Sequence, residues 1–449
     1  MTKIAVDFGK TLGPVKRMHG VNNGPLTRNL TMDARPQFKE AGIPIARLHD
    51  CEYPFGSGEY VNVPNIFKNF DADVDDPASY NFGLTDAYIE AIIECGTKPL
   101  YRLGIDIEHQ PVKRYVFPPK DYLKWAKICE HIIRHYNEGW ADGFHYDIEY
   151  WEIWCEPNHN KDMKFFAAPI EEFAKFYTVS TKYLKECFPN LKIGGPAFSN
   201  ATLQYTVDFF EAIKDEHPPL DFFAHHAYFP QIEEPVHRIE VARELLDKYG
   251  YHESENLLDE WNFMKSWSNV QQAFKVINDY RGMAFNAAVM AALQNTDCDI
   301  ACYYAAQMTF ANLPDAYCGL FDYSNRPRIN GGWNPVDTKK PFYPFICFGN
   351  LYRMGTQIEA ASDDAEVYTV AATDGSKGGL MLSTFVDPTD DDLLLDDKIV
   401  EFEIKNAPGK TAKLYLCDEN NEYGYIGSCA ASAFSVKLAP YSLLYVEFE

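Results

Sequence analysis

Tyr150-Trp151-Glu152-Ile153-Trp154-Cys155-Glu156-Pro157-Asn158 is an aromatic and apolar run that stops at a Glu-Pro step. Aromatic and β-branched residues fit a pleated strand, and the residue before a proline is biased towards extended backbone. The run therefore predicts a strand with the Glu156 carboxyl at its tip. Short apolar runs of the same texture recur on either side, at 19–22, 43–49, 98–104, 192–196, 222–227, 256–261 and 299–305, which with 150–154 makes eight. Helical spacing fills the gaps. Phe173, Tyr177, Ser180, Leu184 and Cys187 recur at intervals of three and four, as do Trp125, Cys129, Ile132, Ile133 and Tyr136. A third stretch, 284–293, is apolar almost all round and should be packed on every side. Eight strands alternating with helices predict a parallel (β/α)8 barrel of the TIM type over residues 15–354, because each helix must bury one face against the sheet.

Beyond residue 355 the helical patterns stop. Period-two runs such as Glu366-Val367-Tyr368-Thr369-Val370 and Tyr441-Ser442-Leu443-Leu444-Tyr445-Val446 lie between acidic and glycine-rich turns. Residues 355–449 are expected to form an antiparallel β-sandwich. The opening Lys3-Ile4-Ala5-Val6-Asp7-Phe8 also alternates, and residues 1–14 are expected to return to that sandwich.

Of the 449 residues, 46% are apolar and 24% charged, ordinary values for a globular chain with a sizeable core. The net charge of −24 repels phosphate backbones and anionic bilayers, so nucleic-acid and membrane-surface partners are not expected. Aromatic residues reach 15%, an excess that serves core packing and sugar stacking alike. No apolar run is long enough for a membrane span, and the N-terminal segment lacks the pattern of a signal peptide. The 11 cysteines are scattered without a C-x-x-C pair. Reduced thiols and a cytoplasmic address are the expectation.

In barrels of this kind the chemistry lies at the C-terminal ends of the strands. Glu156 ends strand four, and a second carboxylate, Glu260, ends strand seven within Leu257-Leu258-Asp259-Glu260-Trp261-Asn262. Two carboxyls facing each other across a barrel mouth suit glycoside cleavage, in which one protonates the departing oxygen and the other meets the anomeric carbon. Asp259 is expected to point away from Glu260, because neighbours on a strand face opposite sides. For the same reason only one of His225 and His226 should enter the site. Arg47 and Arg102 are placed to hold interior carboxylates, or, for Arg102, to meet a sugar carboxylate. Trp333, in the loop after strand eight, stands equally for a sugar-stacking ring and for packing. Cys298 and Cys302 have no His-x-x-His or Asp-rich partner sequence, so neither a metal nor a cofactor is expected. Long loops at 51–82, 104–119 and 312–342 should wall a pocket, favouring exo action on short oligosaccharides.

These motifs, together with Gly194-Gly195-Pro196-Ala197 and His225-His226-Ala227-Tyr228, resemble clan A glycoside hydrolases, and most closely family 39, which includes β-xylosidases and α-L-iduronidases. The Asp259-Glu260-Trp261-Asn262 string is also similar to family 51 arabinofuranosidases. The resemblance implies a retaining enzyme with Glu156 as acid/base and Glu260 as nucleophile. It also implies that His49, His226 and Tyr228 line the subsite of the non-reducing sugar. A β-xyloside is the leading substrate class, followed by an α-L-arabinofuranoside or other pentoside, then a uronide. One position departs from the pattern. The residue before the acid/base in clan A is normally Asn, which bonds the sugar 2-hydroxyl, and here it is Cys155. A thiol is a weak donor and acceptor, so either the sugar differs at that carbon or the chain is a non-catalytic sugar-binding relative. A metal-dependent barrel hydrolase is a further rival, for which the sequence offers no ligand cluster. Small oligosaccharides or glycosides are the expected partners, and self-association is left open.

Overall fold

In the computed structural model, residues 1–26, 32–49, 51, 59–105, 107, 112–159, 161, 165–307, 319–322, 334–387 and 395–449 are described. Eight parallel strands close into a barrel: Arg17–Asn22 (β1), Ile45–Arg47 (β2), Lys98–Leu103 (β3), Tyr150–Ile153 (β4), Lys192–Phe198 (β5), Phe222–Phe229 (β6), Glu255–Phe263 (β7) and Ile300–Tyr303 (β8). Each overlaps one of the eight runs visible in the sequence. Every residue of β2, β4 and β8 is buried, as parallel strands covered on both faces require.

The helices follow from ordinary signals. Helix Tyr122–Glu138 starts where the Asp121 side chain accepts from the Lys124 N–H and stops at Gly139 in the left-handed conformation. Its buried face carries Trp125, Cys129, Ile132, Ile133 and Tyr136. Helix Ile170–Cys187 buries Phe173, Tyr177, Ser180 and Leu184. Helix Tyr280–Gln294 is buried almost all round because it lies between the barrel and the second sheet. There Ser383 Oγ donates to the Ala284 carbonyl, and Phe285 packs on Phe385 at 5.4 Å.

The C-terminal β-region is one continuous nine-stranded sheet rather than two hydrogen-bonded sheets. Its order is Gly424–Ala430, Thr411–Cys417, Leu443–Phe448, Gly378–Thr384, Val367–Thr373, Thr356–Ser362, Thr2–Pro14, Lys398–Lys405, Ala433–Leu438. Its two edge strands adjoin in sequence, joined by the short turn at 431–432, so the sheet curls back on itself. Ile4, Val6, Ile358, Leu382, Val400, Phe402 and Val446 share the interior so formed. On the other face Val370, Met381, Leu443 and Tyr445 join the barrel's hydrophobic core. The strand Thr2–Pro14 runs through the middle, antiparallel to Thr356–Ser362 and parallel to Lys398–Lys405. The parallel pair is the one element an antiparallel sandwich does not anticipate.

Candidate functional site

The turn after β4 is held on both sides. The Trp154 N–H donates to the Leu103 carbonyl at 2.8 Å, and the Glu156 N–H to the Ala197 carbonyl at 2.9 Å. Trp154 (φ 73°) and Glu156 (φ 40°) lie in the left-handed region that non-glycine residues rarely adopt. Such conformations persist only where the surroundings over-determine them, and they concentrate at working sites. Gly104 makes room for the turn, since a Cβ there would stand 2.9 Å from the Trp154 Cα.

Glu156 meets His226 from β6, whose Nδ1 lies 2.7 Å from its Oε1, and His159 Nε2 lies 3.4 Å from its Oε2. Glu260 on β7 is surrounded more completely. Arg47 Nη1 donates to its Oε1 at 2.7 Å, His49 Nε2 lies 3.1 Å from the same oxygen, and the Tyr228 hydroxyl donates to Oε2 at 2.7 Å. His226 Nδ1 is 3.4 Å from Oε2. Burial works against ionisation of Glu260, yet His226, His49 and Arg47 together hold its carboxyl well below the usual carboxylate range. An oxygen of Glu156, one of Glu260 and a nitrogen of His226 lie within 4.8 Å of one another. Glu156, Glu260, His49, His226 and Tyr228 therefore converge.

Beneath them lies a buried ionic cluster. Arg47, wholly buried, contacts Glu152 at 2.7 Å, Asp259 at 3.0 Å and Glu260 at 2.7 Å, and donates to Asn22 Oδ1 at 3.1 Å. Asp259 does not point away from Glu260. The β6–β7 register passes from His225↔Leu258 to His226↔Glu260, so Asp259 is the extra residue of a β-bulge. A bulge breaks the strict alternation and turns two consecutive carboxylates inward. Burial pushes Asp259 well above the usual carboxylate range; Glu152 is held below it by Arg47, against the effect of burial.

The histidines divide as alternation requires. His225 is a core residue bonded through Nε2 to Asn256 Oδ1 at 3.1 Å, and burial lowers it to about 3. Arg102 does not reach the carboxylates. It is wholly buried and donates to the Leu48 and His49 carbonyls at 3.3 Å each and to Asn62 Oδ1 at 2.9 Å. It fixes the chain that carries His49. Cys155 lies under the site, wholly buried, with Sγ 3.5 Å from Arg47 Nη2 and 3.8 Å from His49 Nε2. Burial pushes its thiol up to about 12. Trp333 falls outside the described residues.

Among the described residues, two groups bring metal-ligand atoms within 4.8 Å of one another, His49–Cys155–Glu260 and Glu156–His226–Glu260. Both contain Glu260, whose Oε1 already accepts from a guanidinium, and that guanidinium opposes a second cation beside it. Cys298 and Cys302 belong to neither group.

Sequence reasoning did not single out Tyr304 or Trp267. Tyr304 stands edge-on to His49 at 5.2 Å, and Tyr228 packs against Tyr304 at 6.2 Å and against Trp267 at 5.1 Å. The only signal for them is an aromatic residue just past the end of a barrel strand.

Known proteins resemble this chain in sequence and in fold. The family model for glycosyl hydrolases family 39 matches residues 3–353. The chain is 23% identical to a β-xylosidase of Geobacillus stearothermophilus over 71% of its own length and 66% of the relative's. It is 28% identical to a β-xylosidase of Caldicellulosiruptor saccharolyticus over 50% and 46% of the two lengths. The chain thus spans less than two thirds of these relatives. The solved structure of a glucosidase from Croceicoccus marinus superimposes with a TM-score of 0.78 at 20% identity, covering 100% of this chain and 99% of that one, a likeness of fold. By the family match across its barrel, the chain belongs to the glycosyl hydrolases of family 39, a family of glycoside hydrolases.

Proposed function

We propose that the protein is a retaining, exo-acting β-xylosidase working by double displacement, with Glu260 as nucleophile and Glu156 as acid/base. The observation that carries the reading is the closeness of the two carboxylates, with one oxygen from each within 4.8 Å. Retaining enzymes hold their carboxyl groups about 5–5.5 Å apart, whereas inverting enzymes leave about 6.5–9.5 Å for a water between them. Glu260, kept ionised by Arg47, His49 and His226, attacks the anomeric carbon. Glu156 protonates the departing oxygen and then, as a carboxylate, activates the water that releases the sugar. His226 Nδ1 stands between the two and is in reach of whichever carboxylate carries the negative charge.

The β-xyloside rests on the two β-xylosidase relatives. Cys155 favours a second reading of the sugar, a pentoside such as an α-L-arabinofuranoside whose second carbon is held by another group. We assign residues 15–354 to the catalytic unit and 355–449 with 1–14 to an accessory β-domain. A cytoplasmic address is supported by ten described cysteines that form no disulfide, and no described helix is long and apolar enough to cross a membrane.

The test is intact-protein mass after incubation with activated 2-deoxy-2-fluoro glycosides of xylose, arabinose and glucose. The expected result is one sugar adduct from the xyloside, absent from Glu260→Ala. In Glu156→Ala, azide should restore turnover of substrates with good leaving groups. An adduct that persists in Glu260→Ala, or full activity of Glu156→Ala, removes the residue from its role. No adduct with any sugar and no hydrolysis of aryl glycosides identifies a sugar-binding relative.

A further inference from the structure

An aromatic arc leads outward from the nucleophile. Tyr304 packs on His49, Tyr228 donates to Glu260 Oε2, and Trp267 packs edge-on against Tyr228 with ring centroids 5.1 Å apart. Exposure rises along it. The Glu260 and His49 side chains are 6% exposed, Tyr228 is half-buried, and Trp267 is 67% exposed. A tryptophan left this open on a monomer surface loses the burial that its apolar rings provide elsewhere. Here it stands one ring outward from the residue that touches the nucleophile, in the segment that follows β7, next to a Ser266–Ser268 hydroxyl contact that tightens the turn beneath it.

We propose that Trp267 is the platform for the leaving-group sugar, stacking on its apolar C–H face. This rests on the exo-acting reading above. The ring attacked by Glu260 must sit over His49 and Tyr228, at the buried end of the arc. The next ring of the substrate lies towards solvent, where Trp267 offers an exposed aromatic face one ring out from Tyr228. Covering about 60 Å² of indole contributes roughly tenfold in binding at the usual area coefficient. Because the contact is to the departing group, it acts on formation of the glycosyl-enzyme and not on its hydrolysis.

The test compares two substrates that share a glycone, a disaccharide and the corresponding glycosyl fluoride. Fluoride leaves without a ring to stack. In Trp267→Ala, kcat/KM for the disaccharide is expected to fall about tenfold, mostly through KM, with the fluoride unchanged; Trp267→Phe should recover most of the loss. Equal losses on both substrates would place Trp267 at the glycone or in the fold, and no loss on either would leave it without a role in binding; each overturns the proposal. The pair is built on whichever sugar the wild-type chain hydrolyses. A wrong glycone therefore shows in the wild type, while a wrong assignment of Trp267 shows in the ratio between variants.

Discussion

Replacing Arg47 by methionine removes the cation on which Glu152, Asp259 and Glu260 converge while keeping much of the side-chain volume. Two of those partners, Glu152 and Glu260, are held below the usual carboxylate range and so stand ionised at neutral pH. At charge separations of about 4 Å and an effective dielectric of about 20, each attraction amounts to about 4 kcal/mol. The guanidinium in turn gives up several kcal/mol of hydration when buried. Removing one partner of such a cluster leaves the others uncompensated, with a net loss of about 3–5 kcal/mol. At about 2 °C per kcal/mol for a large domain, the apparent Tm should fall by roughly 6–10 °C at pH 7. The pH dependence fixes the cause. In the wild type the folded-state pKa values of these carboxylates are depressed, so their contribution is present above the unfolded value of about 4.3 and is lost as pH falls through the folded ones. Without Arg47, which is the main group lowering Glu152, burial dominates there and its folded value rises above the unfolded one, so the variant's deficit should shrink between pH 7 and pH 5. Adding Glu152→Gln removes one stranded charge and should recover part of the loss. Differential scanning at both pH values measures all of this. A deficit below about 1 kcal/mol, a deficit independent of pH, or a double variant as unstable as the sum of the singles would refute the reasoning.

Tyr228→Phe deletes one charge-assisted hydrogen bond to Glu260 and leaves Arg47 and His49 in place, so kcat/KM for aryl glycosides should fall about tenfold with the circular dichroism unchanged. His49→Ala removes a group that holds the Glu260 carboxyl low, so burial raises it and the acid limb of the kcat/KM profile should move to higher pH; a limb that stays put, or moves down, contradicts the assignment. Cys155, wholly buried with its thiol pushed up to about 12, should resist iodoacetamide at pH 8 in the native protein and react once unfolded, as read by peptide mass.

The barrel was legible because its strands and helices differ in period, and each strand is short enough for its flanking turns to show. Glu156 was legible for a related reason, since the proline after it marks a strand end, whereas Glu260 lies three residues short of the end of β7 at Phe263 and was legible from the Asp259-Glu260-Trp261-Asn262 string. Asp259 was not. Its inward turn depends on a bulge set by pairing with β6, and nothing in Leu258-Asp259-Glu260 announces an extra residue. Arg102 is the converse case. Its charge invites a carboxylate partner, but its hydrogen bonds go to the Leu48 and His49 carbonyls and to Asn62, which only the closed barrel brings beside it. The His225/His226 division followed from alternation alone, with His226 on the bulge's inward side. The single curled sheet was half legible. The period-two runs identify its strands, whereas the parallel pairing of Thr2–Pro14 with Lys398–Lys405 joins residues almost a chain length apart.

That central strand has a consequence for synthesis. Thr2–Pro14 leaves the ribosome well before its partner strands, with Ile4, Val6 and Phe8 aligned on one side as a ready apolar edge. Its partners, Thr356–Ser362 and Lys398–Lys405, follow only after roughly 340 further residues. At about 5–20 residues per second, the strand waits on the order of 20–70 s without its neighbours. An unpaired apolar strand is a template for pairing with other chains. Yield in the cell should therefore depend on what shields this strand during that interval, long before the barrel it helps to anchor has any stability to lose.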